Sequence, residues 1–132
     1  MEKICLSTEL VIGYLQNKED AVAYVKQLEA NNDIAVTPST LFSLFCIAAA
    51  SERPEENKHV IYDLLKRVTV LEETAQTAQR AAELFVELTK KNKKAEPEDI
   101  FLAAVASEYK YEIATVLPEK YAALEGVKIY KV

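Results

Sequence analysis

Lys3–Leu15, KICLSTELVIGYL, leaves few folds open to this chain. Ile4-Cys5-Leu6 reads as a short apolar strand. Leu10, Val11, Tyr14 and Leu15 then recur at helical spacing, with only Ser7-Thr8-Glu9 between the two patterns. A strand that feeds straight into a helix is the first half of a βα unit, and βα units build parallel sheets. Ligands of open parallel sheets gather beyond the carboxyl ends of the strands. Ser7-Thr8-Glu9 is therefore the first place to look for chemistry. A metal-dependent enzyme needs a hard anionic ligand at such a strand end, and this chain has the neutral Ser7.

The alternation continues along the chain. Helical spacing predicts helices over 8–16 and 18–30, the second with Ala21, Val25 and Leu28 on one face. Asp33–Thr37 reads as the second strand. Thr37-Pro38 then supplies an N-cap and a first-position proline for a helix over Ser39–Ala50. That helix is apolar nearly all round, which predicts burial on more than one side, the second side against another copy of the chain. Pro54 opens a helix to about Lys66, Val68–Leu71 is the third strand, and Glu73–Lys91 is a long helix. Pro97 opens an Ala-rich helix through Glu108. Glu112–Thr115 is the fourth strand, Pro118–Leu124 a short helix and Val127–Tyr130 a fifth strand. The expected fold is a three-layer α/β domain: five parallel strands flanked by seven helices, in one unit over residues 1–132.

Composition narrows the function classes. Half of the 132 residues are apolar and 28% are charged, a globular profile. The longest apolar run, Leu41–Ala50, is too short to span a membrane, and the N-terminus has no export pattern, so a cytoplasmic location is expected. A single histidine and two separated cysteines exclude a standard zinc site. Cys5 and Cys46 both sit in apolar segments and are expected to be buried free thiols. Two glycines cannot make a Gly-rich phosphate loop. The net charge of −5 gives no overall basic surface for nucleic acid. Lys90–Lys94 is a local basic cluster, expected as the solvated end of the long helix rather than a hold on RNA phosphates, and His59 is expected as a surface or packing residue.

Four segments, in order, carry a resemblance: KICLSTELVIGYL, IAVTPSTLFSLF, EPEDIFLAAVASEY, and EIAT leading into VLPEKYAALEGVKIYKV. With these the chain resembles the PIN-domain family, in particular the VapC-like toxins of prokaryotic toxin–antitoxin pairs. The resemblance implies a five-stranded parallel α/β sheet. It also implies an RNA-cleaving site in which a cluster of acids holds Mg²⁺ or Mn²⁺, the metal activating water and neutralising phosphate charge. Carried over position by position, the four family acids fall on Ser7, Ser43, Asp99 and Leu117. Only Asp99 is a carboxylate. A hydroxyl is a poor substitute for one, and leucine is none.

Three readings follow. The favoured one is a catalytically degenerate PIN-domain protein that keeps the fold and a binding interface and needs no cofactor. Its implied partners are a second copy through the Leu41–Ala50 helix and an antitoxin-like protein, with RNA less favoured. The alternative is a weak Mg²⁺- or Mn²⁺-dependent endoribonuclease using Asp99 with Glu9 and Glu96. Glu9, Glu98 and Asp99 also stand in first helical turns, where acids complement the helix dipole without catalytic duty. In the third reading the vacated cleft takes a small molecule. Thr8 is expected as a helix cap, and Thr115 is expected to bond its own backbone.

Overall fold

The structure, a computed structural model, describes residues 1–131; Val132, the last residue of the expected domain, lies outside them. The chain runs β1 (Lys3–Leu6), α1 (Thr8–Leu15), α2 (Glu19–Asn31), β2 (Asp33–Val36), α3 (Pro38–Ala50), α4 (Pro54–Leu65), β3 (Thr69–Val70), α5 (Ala75–Lys90), α6 (Pro97–Glu108) and β4 (Glu112–Ala114). A 3₁₀ turn, Pro118–Lys120, follows. The strands form one parallel sheet in the order β3-β2-β1-β4.

The helix starts are written in local chemistry. The Ser7 hydroxyl caps α1 by accepting from the Leu10 amide at 3.4 Å, and Thr37 caps α3 by accepting from Thr40 at 3.2 Å. Prolines occupy the first turns of α3, α4 and α6, where an amide hydrogen is not missed. The fourth case is subtler. The long helix begins at Ala75 with Thr74 and Thr77 capping each other, two residues later than the sequence pattern suggests. Glu73 is thereby released: its carboxylate accepts from the Ser39 amide at 2.9 Å and the Ser39 hydroxyl at 2.6 Å, at the positive end of α3.

Strand alternation sorts the core into two halves. Ile4, Leu6, Ile34, Val36 and Ala114 face α1, α2, α3 and α4, packing on Leu10, Val25, Leu28, Leu44, Ile61 and Leu64. Cys5, Ala35 and Ile113 face the other way, onto α5 and α6. Small residues meet small residues there: Ala103, Ala104 and Ala106 of α6 are buried with Cys5 and Ala35, which allows a close helix-to-sheet approach.

Three sequence expectations meet the structure here, and the first and third are corrected. The fifth strand, Val127–Tyr130, is reduced to a single parallel bridge between Ile113 and Ile129. In a parallel strand each residue directs its amide and carbonyl to one side, and alternate residues serve opposite neighbours. β4 has three residues, and only Ile113 faces outward, accepting from Tyr130 and donating to Lys128, both at 2.8 Å. A neighbour cannot pair further. Second, the chain itself covers one side of α3: Thr40, Leu44 and Ala48 are buried, whereas Phe42 is 71% and Ile47 43% exposed. Third, Cys46 lies on that open side and is exposed, while Cys5 is fully buried. No helix among the described residues is long and apolar enough to cross a membrane.

Candidate functional site

The sheet order places the reversal of winding between β1 and β4. From β1 the chain moves outward to β2 and β3, then returns to the other side of β1. The crevice beyond the carboxyl ends of these two strands is where an open α/β sheet offers a site. Glu9 enters it from the first turn of α1, and Thr115 enters from the end of β4. The Thr115 hydroxyl donates to Glu9 Oε1 across the crevice, and accepts from the Leu117 amide at 2.9 Å. Glu9 Oε2 is buried and has no hydrogen-bond partner among the described residues.

Asp99, in the first turn of α6, is the second acid of the crevice and is buried. Its two oxygens are both engaged. Lys120 Nζ lies 3.5 Å from Oδ2, and the hydroxyl of the fully buried Tyr121 donates to Oδ1 at 3.4 Å. Burial pushes the Asp99 carboxyl above its ordinary range; Lys120 pulls it back, and the charge of Glu9 adds to the rise. The Tyr121 phenol is raised strongly, by burial first and then by the two neighbouring carboxylates. A neutral Tyr121 is therefore a fixed donor.

Ser7, Ser43 and Leu117, the other positions to which the resemblance carries acids, hold no charge of their own. Ser7 is fully buried and spends its hydroxyl on the α1 cap. Ser43 donates to Glu98 Oε1 at 2.8 Å, tying α3 to the start of α6. Leu117 is partly exposed at the mouth of the crevice. Glu96 is exposed. It lines an open groove of about 900 Å³ with Asp99, Lys93, Lys94, Lys120 and the apolar Leu88 and Leu124. Glu9 and Asp99 thus come within each other's field, while Glu96 faces the groove. Among the described residues no three His, Cys, Asp or Glu side chains converge to hold a metal ion. A divalent ion asks for several oxygen ligands at 2.0–2.6 Å or so. A carboxylate already facing an ammonium and a phenol, with a second one tied to a threonine, does not fit that demand.

A family model for the PIN domain matches residues 4–116. The chain belongs to the PIN domain family. No curated protein matches it in sequence. Among solved structures, it is similar to DNA-bound VapBC from Salmonella typhimurium, at 25% identity over 98% of each chain with a TM-score of 0.87. It is also similar to VapBC2 from Rickettsia felis bound to a promoter DNA fragment, at 19% identity over 96% of each chain with a TM-score of 0.85. VapBC-5 from Mycobacterium tuberculosis, of the VapBC family of toxin–antitoxin systems, matches at 20% identity over 97% of each chain with a TM-score of 0.69.

Within this PIN domain the sequence motifs point to Asp99, Glu9 and the crevice but leave out Lys120 and Tyr121, which hold Asp99. The available signal was the run Pro118-Glu119-Lys120-Tyr121, where a tight turn after a strand end brings a cation and a phenol back over the sheet edge. Thr8 is not the cap; Ser7 is, and the buried Thr8 hydroxyl instead meets Thr40 at 2.7 Å. Thr115 does bond its own backbone neighbour, as expected, and also holds Glu9. Lys93 and Lys94 line the Asp99 groove, and His59 is exposed, as read.

Proposed function

We propose that this PIN domain keeps the fold and binding surfaces of VapC-like proteins but not their metal-dependent ribonuclease chemistry, and that it works as a binding partner. The observation that carries the reading is the state of Asp99. It is the one carboxylate left at the four family positions, and both its oxygens are taken by side chains of this chain. A carboxylate engaged in this way is a poor metal ligand and a poor activator of water.

The partner best supported is an antitoxin-like chain. Its similar structures are VapBC assemblies. The chain also carries an apolar groove of about 310 Å³ between α1, α3 and α4, lined by Ile12, Leu15, Leu44, Ile47 and Val60, suited to the apolar face of a partner segment. The open side of α3, with Phe42 and Cys46, is the surface for a second copy.

One observation favours the alternative of a weak Mg²⁺- or Mn²⁺-dependent endoribonuclease: the buried Glu9 Oε2, without a partner among the described residues, in the field of Asp99. A calorimetric Mn²⁺ titration, run beside an RNA-cleavage assay with Asp99→Asn as control, separates the two. The expected result is no saturable Mn²⁺ binding and no cleavage. Binding and cleavage that both vanish in Asp99→Asn establish the alternative instead.

A further inference from the structure

Building on the metal-free reading above, we propose that Lys120 is a tethered counter-ion, supplying to the Glu9–Asp99 crevice the positive charge that a divalent ion would otherwise bring and closing it to metal.

One short segment serves both acids. Thr115 takes one oxygen of Glu9, and five and six residues later Lys120 and Tyr121 take the two oxygens of Asp99. The segment is held at both ends. The Leu117 amide donates to Thr115, and the Lys120 amide donates to the Leu117 carbonyl at 3.1 Å, closing the 3₁₀ turn. Tyr121 is fully buried, which anchors the backbone from which the partly exposed Lys120 side chain reaches Asp99. The crevice still carries uncompensated charge, because Glu9 Oε2 is buried without a partner among the described residues and the charge of Glu9 raises the proton affinity of Asp99. Two carboxylates in one partly dry crevice repel, and a nearby cation offsets that repulsion. A cation on a side chain is present at all times and needs no convergent ligand set. A divalent ion at Asp99 Oδ2 would in turn lie against an ammonium of like charge. The two occupants exclude each other.

The test compares the wild type with Lys120→Met, which keeps the aliphatic stem and removes the charge, with Lys120→Arg, and with Lys120→Met/Asp99→Asn. Each is melted in EDTA and in MnCl₂, and titrated with Mn²⁺ alone by calorimetry. The wild type and Lys120→Arg are expected to melt at the same temperature in both buffers. Lys120→Met is expected to melt about 3–6 °C lower in EDTA, to recover at least half of that loss in Mn²⁺, and to show a binding heat absent from the wild type. The double variant should regain the wild-type melting temperature in EDTA and ignore Mn²⁺, because no acid remains at position 99 to neutralise.

The proposal is overturned if Lys120→Met melts like the wild type and is indifferent to Mn²⁺. It is equally overturned if the double variant stays as unstable as the single one, or if neither folds, since Lys120 would then be a packing residue. Indifference of all four proteins to Mn²⁺ removes this inference and leaves the proposed function standing. Mn²⁺ binding by the wild type that Asp99→Asn abolishes removes both.

Discussion

Asp99 is the residue on which the chemistry of this chain turns, and its titration reports how the crevice treats charge. Its carboxyl is raised in the folded state, chiefly by burial, from the ordinary aspartate value of 3.8. Between that value and the raised one, the native state holds more protons than the unfolded state. Stability at this site is therefore greatest below pH 3.8 and falls as pH rises through the raised value. Asp99→Asn should stabilise the protein at neutral pH, by a few tenths to about 1 kcal/mol with Lys120 in place. The gain should shrink toward acid pH, and urea midpoints measured across the pH range check it. Legibility was uneven at this scale. Asp99 could be read because a proline-led first turn announces itself in four consecutive letters. The hold of Lys120 and Tyr121 on it could not, because the contact joins a helix start to a turn beyond the next strand. Of the two thiols, Cys5 meets its expectation and Cys46 departs from it for a related reason. An apolar neighbourhood in sequence predicts burial only if the fold covers it: Cys5 lies inside the sheet, where burial pushes its thiol to about 12, whereas Cys46 sits on an open helix face.

Among the elements, the first two helices depend on one close approach. A Cβ built on Gly13 of α1 falls 2.9 Å from the Ala21 Cβ of α2, closer than side chains tolerate, and an alanine methyl cannot turn aside. Gly13→Ala should therefore destabilise by about 1–2 kcal/mol, even though alanine is the better helix former by about 1 kcal/mol, because overpacking costs about 1–3 kcal/mol. Adding Ala21→Gly should return much of the overpacking loss, which chemical denaturation of the single and double variants would show. Helix existence and most helix starts were legible, since caps and first-turn prolines are local signals: Thr37-Pro38, Pro54 and Pro97 all open helices where the sequence places them. The fifth strand was not. Val127–Tyr130 has the residues of a strand, but pairing is decided by its neighbour, and β4 turns only Ile113 outward. The start of α5 shifted for a similar reason, with Glu73 drawn off to Ser39 of another helix.

For the whole molecule, the parallel sheet and its two cores follow from the apolar strands themselves, since sheets covered on both faces need strands apolar on both sides. Ile4, Cys5 and Leu6 already carry that pattern. What the chain alone does not satisfy is α3, whose Phe42 is 71% exposed. Paired α3 faces in a two-fold dimer would cover it. Sedimentation should show a dimer for the wild type, and Phe42→Glu should be monomeric with an unchanged far-ultraviolet spectrum and melting curve. A wild type that sediments as a monomer at all concentrations removes the α3 dimer from the reading. The sheet order carries one more consequence. β1 precedes the other strands in the described chain and yet lies inside the sheet, and its second neighbour is β4, about a hundred residues later. During synthesis, a nascent chain that has already built α1 through α5 still shows one side of β1 with its backbone groups unmatched. Completion waits for Glu112–Ala114 to emerge and for Tyr121 to seat over Asp99. The residues that close the sheet are thus neighbours of those that hold Asp99, and one stretch, Glu112–Tyr121, completes both.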